Sequence, residues 1–330
     1  MPRRRRDPPL ILPYLGYGTS TRLQLSGRVL EDEGFRPAAD ADRRWRNVVE
    51  FVKRLESDEI PGARVIASFA GQAVEAVSDK EGYFHIEMRT AALDAGWHEV
   101  ALELPDLGGS ATGHVLVPPR DAEFGVISDL DDTVIQSGVM RKVRMLVQLA
   151  TSNARTRKPF EGVGAFYSAL HRDRNPFFYV SNSPHNLYVP LVEFLQHQKL
   201  PLGPVLLRDY GLRMTKTHKC RAIEDILSTY PSLDFILVGD SGERDPEIYT
   251  DILGRFPDRI RVIYIRSVNR SPERLAAIDK LAKKVASTRC QLVLAPDSEF
   301  AAAHAAAEGL VPATKLSRVR EDKKADQRVS

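Results

Sequence analysis

Three short polar clusters stand where long apolar runs stop: Asp129-Leu130-Asp131-Asp132-Thr133, Ser181-Asn182-Ser183 and Asp240-Ser241-Gly242-Glu243-Arg244-Asp245. In the first, Asp129 and Asp131 are two residues apart, so one carboxylate can serve as nucleophile while the other gives and takes a proton. A carboxylate that attacks a phosphate must overcome mutual repulsion, which calls for a divalent cation. Mg²⁺ suits an all-oxygen site shared with substrate phosphate. Asp240 offers a further carboxylate, with Asp245 as a direct or outer ligand. The hydroxyls of Ser181 and Thr133 and the amides around Asn182 and Ser183 are suited to phosphoryl oxygens. Pro184 is expected to open a helix whose N-terminus favours an anion. Lys219, just ahead of CRAIEDIL, would face the charge of a transferring phosphoryl group, with Lys216 as a rival for that role.

Each cluster has a plainer reading, and some of these can be set aside. A calcium loop of the EF-hand type fails, because Val134 takes its glycine position and Met140 its closing glutamate. GDSG resembles a serine-protease nucleophile loop in letters only, since it follows a buried strand and continues ERDP. Ser181 alone reads as a helix cap, and Lys219 alone as a surface lysine. His185 and His218 form no zinc spacing with any partner.

The clusters gain weight from what precedes them. FGVISD, FFYVSN, FILVGD, RVIYIRSV and QLVLAP are near-continuous apolar runs, as expected of parallel strands covered on both faces. Between them lie helical patterns: GVGAFYSALHR, NLYVPLVEFLQHQ, CRAIEDILSTY and PERLAAIDKLAKKVAST. This alternation predicts a doubly wound α/β domain over residues 120–312, and ligands of such sheets bind beyond the carboxyl ends of the strands. Residues 21–119 read differently. Short alternating runs (LQLSGRVL, ARVIASFAG, AVEAVSD, YFHIEM, HEVALEL, GHVLVP), punctuated by Pro61-Gly62 and Gly108-Gly109, predict a β-rich sandwich-like domain. One helix is expected within it, over 42–57, with Trp45, Val48, Val49, Val52 and Leu55 along one face. Residues 1–20 form a basic segment, and the charged stretch 313–330 is expected to be disordered.

Bulk properties set outer bounds. The chain has 330 residues, 43% of them hydrophobic, enough for two domains with real cores. A net charge of +3 favours no class of partner, and the Arg3–Arg6 run lacks interleaved aromatics, so no nucleic acid is expected. Two cysteines, Cys220 and Cys290, suit a reducing compartment, and no apolar run matches a bilayer. The expectation is a cytoplasmic protein.

Taken in order, DLDDTVIQSGV, YVSNSPHNLY, KTHKCRAIEDIL and LVGDSGERDPEIY resemble the catalytic domain of the actin-patch phosphatidate phosphatase family, within the haloacid-dehalogenase-like superfamily. PYLGYGTSTRLQLSGRVL is similar to that family's bacterial members. The resemblance implies Asp129 as nucleophile and Mg²⁺ ligand, and Asp131 as general acid and base with its carbonyl on the ion. It implies Ser181 and Lys219 on the phosphoryl group, and Asp240 completing the metal site with Asp245 nearby. Asp132 replaces the glycine common in the superfamily but fits the narrower family. The implied reaction takes phosphatidate to diacylglycerol and phosphate. A soluble or protein-bound phosphomonoester is the alternative substrate, and a non-catalytic membrane or protein adaptor the alternative class. The insertion from Val139 to Pro159 carries Arg141, Lys142 and Arg144 among Met140, Val143, Met145, Leu146 and Leu149. It reads as a small cap, or as a basic amphipathic helix for peripheral contact with an anionic membrane.

Overall fold

The computed structural model describes residues 9–31, 59–130, 162–208, 218–268 and 270–328. The expected helix at 42–57, the insertion at 139–159, and Asp131, Thr133 and Lys216 lie outside the described residues. The chain divides into two compact units, the first running through Arg120 and the second starting at Asp121.

The first unit is built from β1 (Pro9–Pro13), β2 (Gly16–Thr19), β3 (Arg22–Glu31), β4 (Arg64–Phe69), β5 (Gln72–Val77), β6 (Tyr83–Arg89), β7 (Gly96–Glu103) and β8 (Ser110–Val117). All eight join one hydrogen-bonded sheet, antiparallel except where β2 runs beside β8. Along β6 and β7 burial alternates residue by residue, the mark of a sheet with one face inward. Leu23, Leu25, Val65, Phe84, Ile86, Val100, Leu102 and Val115 meet in one cluster on that face. The expected boundary at residue 21 is too late: β1 pairs with residues 27–31 of β3, so the sheet already includes Pro9. Prolines at both ends of β1 hid it, since proline within a short apolar run argues against a strand.

The second unit holds a six-stranded parallel sheet in the order β11-β10-β9-β12-β13-β14. Its strands are β9 (Gly125–Asp129), β10 (Phe177–Pro184), β11 (Val205–Arg208), β12 (Phe235–Asp240), β13 (Ile260–Arg266) and β14 (Gln291–Ala295). The helices are α1 (Val163–His171), α2 (Tyr188–His197), α3 (His218–Thr229), α4 (Asp245–Arg255), α5 (Pro272–Val285), α6 (Ser298–Ala307) and α7 (Leu316–Arg328). From β9 the chain moves outward to β10 and β11, then returns to lay β12 on β9's other side. That reversal opens a crevice at the carboxyl ends of β9, β10 and β12, where open sheets of this kind bind ligands. β9 and β12 are buried along their whole length.

Two expectations change here. Pro184 does not open a helix: it closes β10, a 3-10 turn occupies His185–Leu187, and α2 begins at Tyr188. The charged stretch from 313 is also ordered, as α7. Its composition is poor in apolar residues, but Val319 is buried and the acids have defined work. α1 starts from Gly162, at φ 73°, without a side-chain cap of its own. Asp326 accepts the Gly162 N–H at 2.9 Å and Asp322 the Ala165 N–H at 3.1 Å. Two of the N–H groups that a helix start leaves open are thereby satisfied, by carboxylates that also suit the helix dipole. Lys323 bridges Asp297 and Glu299 at 2.8 and 3.3 Å, and Arg320 meets Glu299 at 2.8 Å. The Val319→Ala substitution should cost about 2 kcal/mol and lower the thermal midpoint of the second unit by several degrees, read by calorimetry. A disordered tail would show no change.

Candidate active site

Asp129 ends β9 and Asp240 ends β12, the strand beside it; Asp245 opens α4 five residues later. All three are buried, and each offers a carboxylate oxygen within 4.8 Å of the others. Lys219, second residue of α3, is 2% exposed and reaches into this group. Its Nζ lies 2.8 Å from Asp129 Oδ1, 2.8 Å from Asp245 Oδ1 and 2.8 Å from Glu243 Oε2.

Backbone geometry fixes the carboxylates. Asp240 Oδ1 accepts the N–H groups of Gly242 at 2.5 Å and Glu243 at 3.0 Å, folding the strand end back into a tight turn. Asp245 Oδ2 accepts the N–H of Asp240 at 3.1 Å, so helix and strand end are joined through the side chain of one ligand candidate. Gly239 allows this approach: a Cβ there would stand 2.5 Å from Asp245 Oδ2, 2.7 Å from its Cβ and 2.8 Å from the Tyr249 ring. Tyr249 is buried on the same side and donates to the Val238 carbonyl at 3.0 Å. Arg274 of α5 clamps the turn from outside. Its guanidinium donates to the carbonyls of Ser241 at 2.7 Å and Glu243 at 2.6 Å, and pairs with Glu247. Beneath Asp129, the Ser128 hydroxyl donates to the Asp129 carbonyl at 2.8 Å and lies 2.7 Å from the Tyr167 hydroxyl of α1.

Electrostatics follow from this crowding. Burial disfavours the ammonium of Lys219, but the negative charges of Asp129 and Asp245, with Glu243 adding less, outweigh it and hold the lysine well above its ordinary range. Lys219 therefore stays charged at any physiological pH. Burial pushes the Asp245 carboxyl up, and the nearby Lys219 offsets only part of that shift. Three carboxylates contact this ammonium, and Asp240 lies within 4.8 Å of Asp129 and Asp245, so acids outnumber the one lysine here. An all-oxygen donor set of this kind fits a hard divalent cation such as Mg²⁺, and offers nothing to a thiophilic metal.

The sequence-derived residues do not all converge to the same degree. Asp129, Asp240, Asp245 and Lys219 meet directly. Ser181 and Asn182 stand at the carboxyl end of β10, whose Val180 pairs with Asp129. Ser181 Oγ accepts the N–H of Ser183 at 2.9 Å, and Asn182 Nδ2 donates to Glu243 Oε2 at 3.2 Å. His185 and His218 approach the carbonyls of Arg208 and Leu206 at 3.2 and 3.5 Å, which ties both to β11. Glu243 and Arg274 escaped the sequence reading. Glu243 was inside a recognised motif, but only the turn at Gly242 shows that it faces Lys219. Arg274 belongs to no motif, and only the packed fold brings it to that turn.

This geometry coincides with a similarity to known proteins. Residues 124–267 match the catalytic domain of phosphatidate phosphatase APP1. The match runs from the residue before β9 to the residue after β13, so it encloses Asp129, Ser181, Asn182, Lys219, Asp240, Glu243 and Asp245, while Arg274 lies beyond it. Phosphatidate phosphatase APP1 of Saccharomyces cerevisiae is 35% identical over 156 residues, 45% of this chain and 26% of the yeast protein. An uncharacterized protein of Schizosaccharomyces pombe is 28% identical over 250 residues, 71% of this chain and 40% of that one. The chain thus spans well under half the length of these curated relatives. A carbohydrate acetylesterase from Xanthomonas citri aligns over 82% of this chain and 73% of its own at 11% identity, with a TM-score of 0.27.

Gly239→Ala tests the close approach of helix and strand. The added methyl must displace Asp245, at a cost of about 1–3 kcal/mol. The variant should unfold several degrees below the native protein, as measured by scanning calorimetry.

Proposed function

We propose that the chain is a Mg²⁺-dependent phosphohydrolase that carries the phosphoryl group on Asp129, with phosphatidate or a related lipid phosphate monoester as substrate. The supporting observation is the 2.8 Å contact between Lys219 Nζ and Asp129 Oδ1, made among buried acids at the sheet's reversal point. An ammonium there keeps Asp129 ionised, hence nucleophilic, and meets the negative charge of an approaching phosphate. Asp129 attacks phosphorus, the ester P–O bond breaks, and Asp131 protonates the departing alcohol oxygen. Asp131 then takes a proton from water as that water attacks the aspartyl phosphate, which frees inorganic phosphate and restores Asp129. Ser181 and Asn182 hold the phosphoryl oxygens from the β10 side, with Ser183 and Thr133 in the same set. Asp129, Asp240, Asp245 and the Asp131 carbonyl would hold Mg²⁺, which when bound supplies charge neutralisation on the phosphoryl oxygens.

The lipid substrate rests on the likeness to the yeast phosphatidate phosphatase. With it goes a haloacid-dehalogenase-like, doubly wound catalytic domain of bacterial type behind a sandwich-like β domain. A cytoplasmic protein touching anionic membrane through residues 139–159 completes the reading.

Release of inorganic phosphate from phosphatidate in mixed micelles tests it. Turnover should require Mg²⁺, cease on chelation, and fall at least about a thousandfold in Asp129→Asn. Faster hydrolysis of a soluble sugar phosphate would replace the lipid as substrate. No release from any ester would remove the enzyme assignment.

A further inference from the structure

Glu243 stands apart from the other three acids. Asp129, Asp240 and Asp245 are buried, whereas the Glu243 side chain keeps 32% of its exposure. One oxygen, Oε2, accepts from two donors at once: Lys219 Nζ at 2.8 Å and Asn182 Nδ2 at 3.2 Å. Those are the cation and the amide to which the proposed function assigns the phosphoryl oxygens. Of the three acids in contact with Lys219, Asp129 and Asp245 are buried and Glu243 is the partly exposed one.

The backbone at Glu243 is pinned independently of its side chain. Its N–H is bound by Asp240 Oδ1 at 3.0 Å and its carbonyl by Arg274 at 2.6 Å. A turn held at both peptide groups can release the carboxylate by side-chain rotation alone, without disturbing Asp240 or Asp245.

We infer that Glu243 is an internal anion that occupies the phosphoryl-binding donors Lys219 and Asn182, and that a substrate phosphate must displace it. The inference rests on the phosphohydrolase reading of the site and adds to it a residue that sets affinity. Glu243 touches neither ester nor attacking oxygen in this scheme; it acts by withdrawing its own carboxylate. Because the released carboxylate stays close by, it also favours departure of product phosphate, whose dianion it can replace.

Titration calorimetry of the full chain with inorganic phosphate, at saturating Mg²⁺, tests the exchange. Glu243→Gln keeps the shape and gives up the charge, so it competes as a neutral rather than an ionised acceptor. Phosphate should bind it about tenfold more tightly than the native protein, with Mg²⁺ affinity unchanged within about twofold. In turnover the same variant should show a lower KM and, because product leaves more slowly, no gain in kcat. Glu243→Asp keeps the charge but draws it back by one methylene. Displacement predicts tighter phosphate binding there as well. General charge repulsion predicts native affinity, and that result would overturn the inference, as would equal or weaker binding by Glu243→Gln. Failure of every protein to bind phosphate would instead remove the phosphohydrolase reading beneath it. A Glu243→Gln protein that fails to fold leaves the Asp variant to decide between displacement and repulsion.

Discussion

The ammonium of Lys219 is the interaction on which the second unit's site depends. Without it, Asp129 and Asp245 would be buried carboxylates with far less compensation, and removing one partner of such a pair typically costs about 3–5 kcal/mol. With it, the end of β9, the start of α3 and the start of α4 are drawn to one point, although they lie far apart in the chain. The compensation is incomplete, since more carboxylates than the ammonium can match surround it. A site with surplus buried negative charge is less stable than its packing alone would make it, and that deficit is what a bound cation would relieve. The same unevenness that weakens the fold prepares the chemistry.

Much of this was legible in the sequence, and for physical reasons. Strands covered on both faces must be apolar throughout, so the point where polarity resumes marks the strand end. Asp129, Ser181 and Asp240 were found at strand ends for that reason. Parallel topology then places such ends at one edge of the sheet, so their convergence follows from connectivity. α4 was missed for an instructive cause. Asp245-Pro246 is a sound helix-start signal, with an acid and a proline in the first turn, but it lies inside the polar cluster that carries the ligand candidates.

Elements that escaped the sequence reading depend on partners distant in the chain. β1 is a strand because β3 gives it hydrogen bonds, despite prolines at each end. α7 is a helix because Val319 finds a buried place and its acids find open N–H groups on α1. Neither circumstance leaves a local pattern. Glu243 is intermediate: its position in the motif was visible, while its direction was set by a turn that Asp240 closes from its own side chain.

The carboxylates that α7 lends to α1 also have a bearing on how the protein is made. Gly162 N–H and its acceptor on Asp326 are 164 residues apart. At about 5–20 residues per second of synthesis, the amide is made roughly 8 to 33 s before its acceptor. During that interval the start of α1 lacks both of these acceptors. The capped start of α1 therefore forms only after Asp322 and Asp326 have been made.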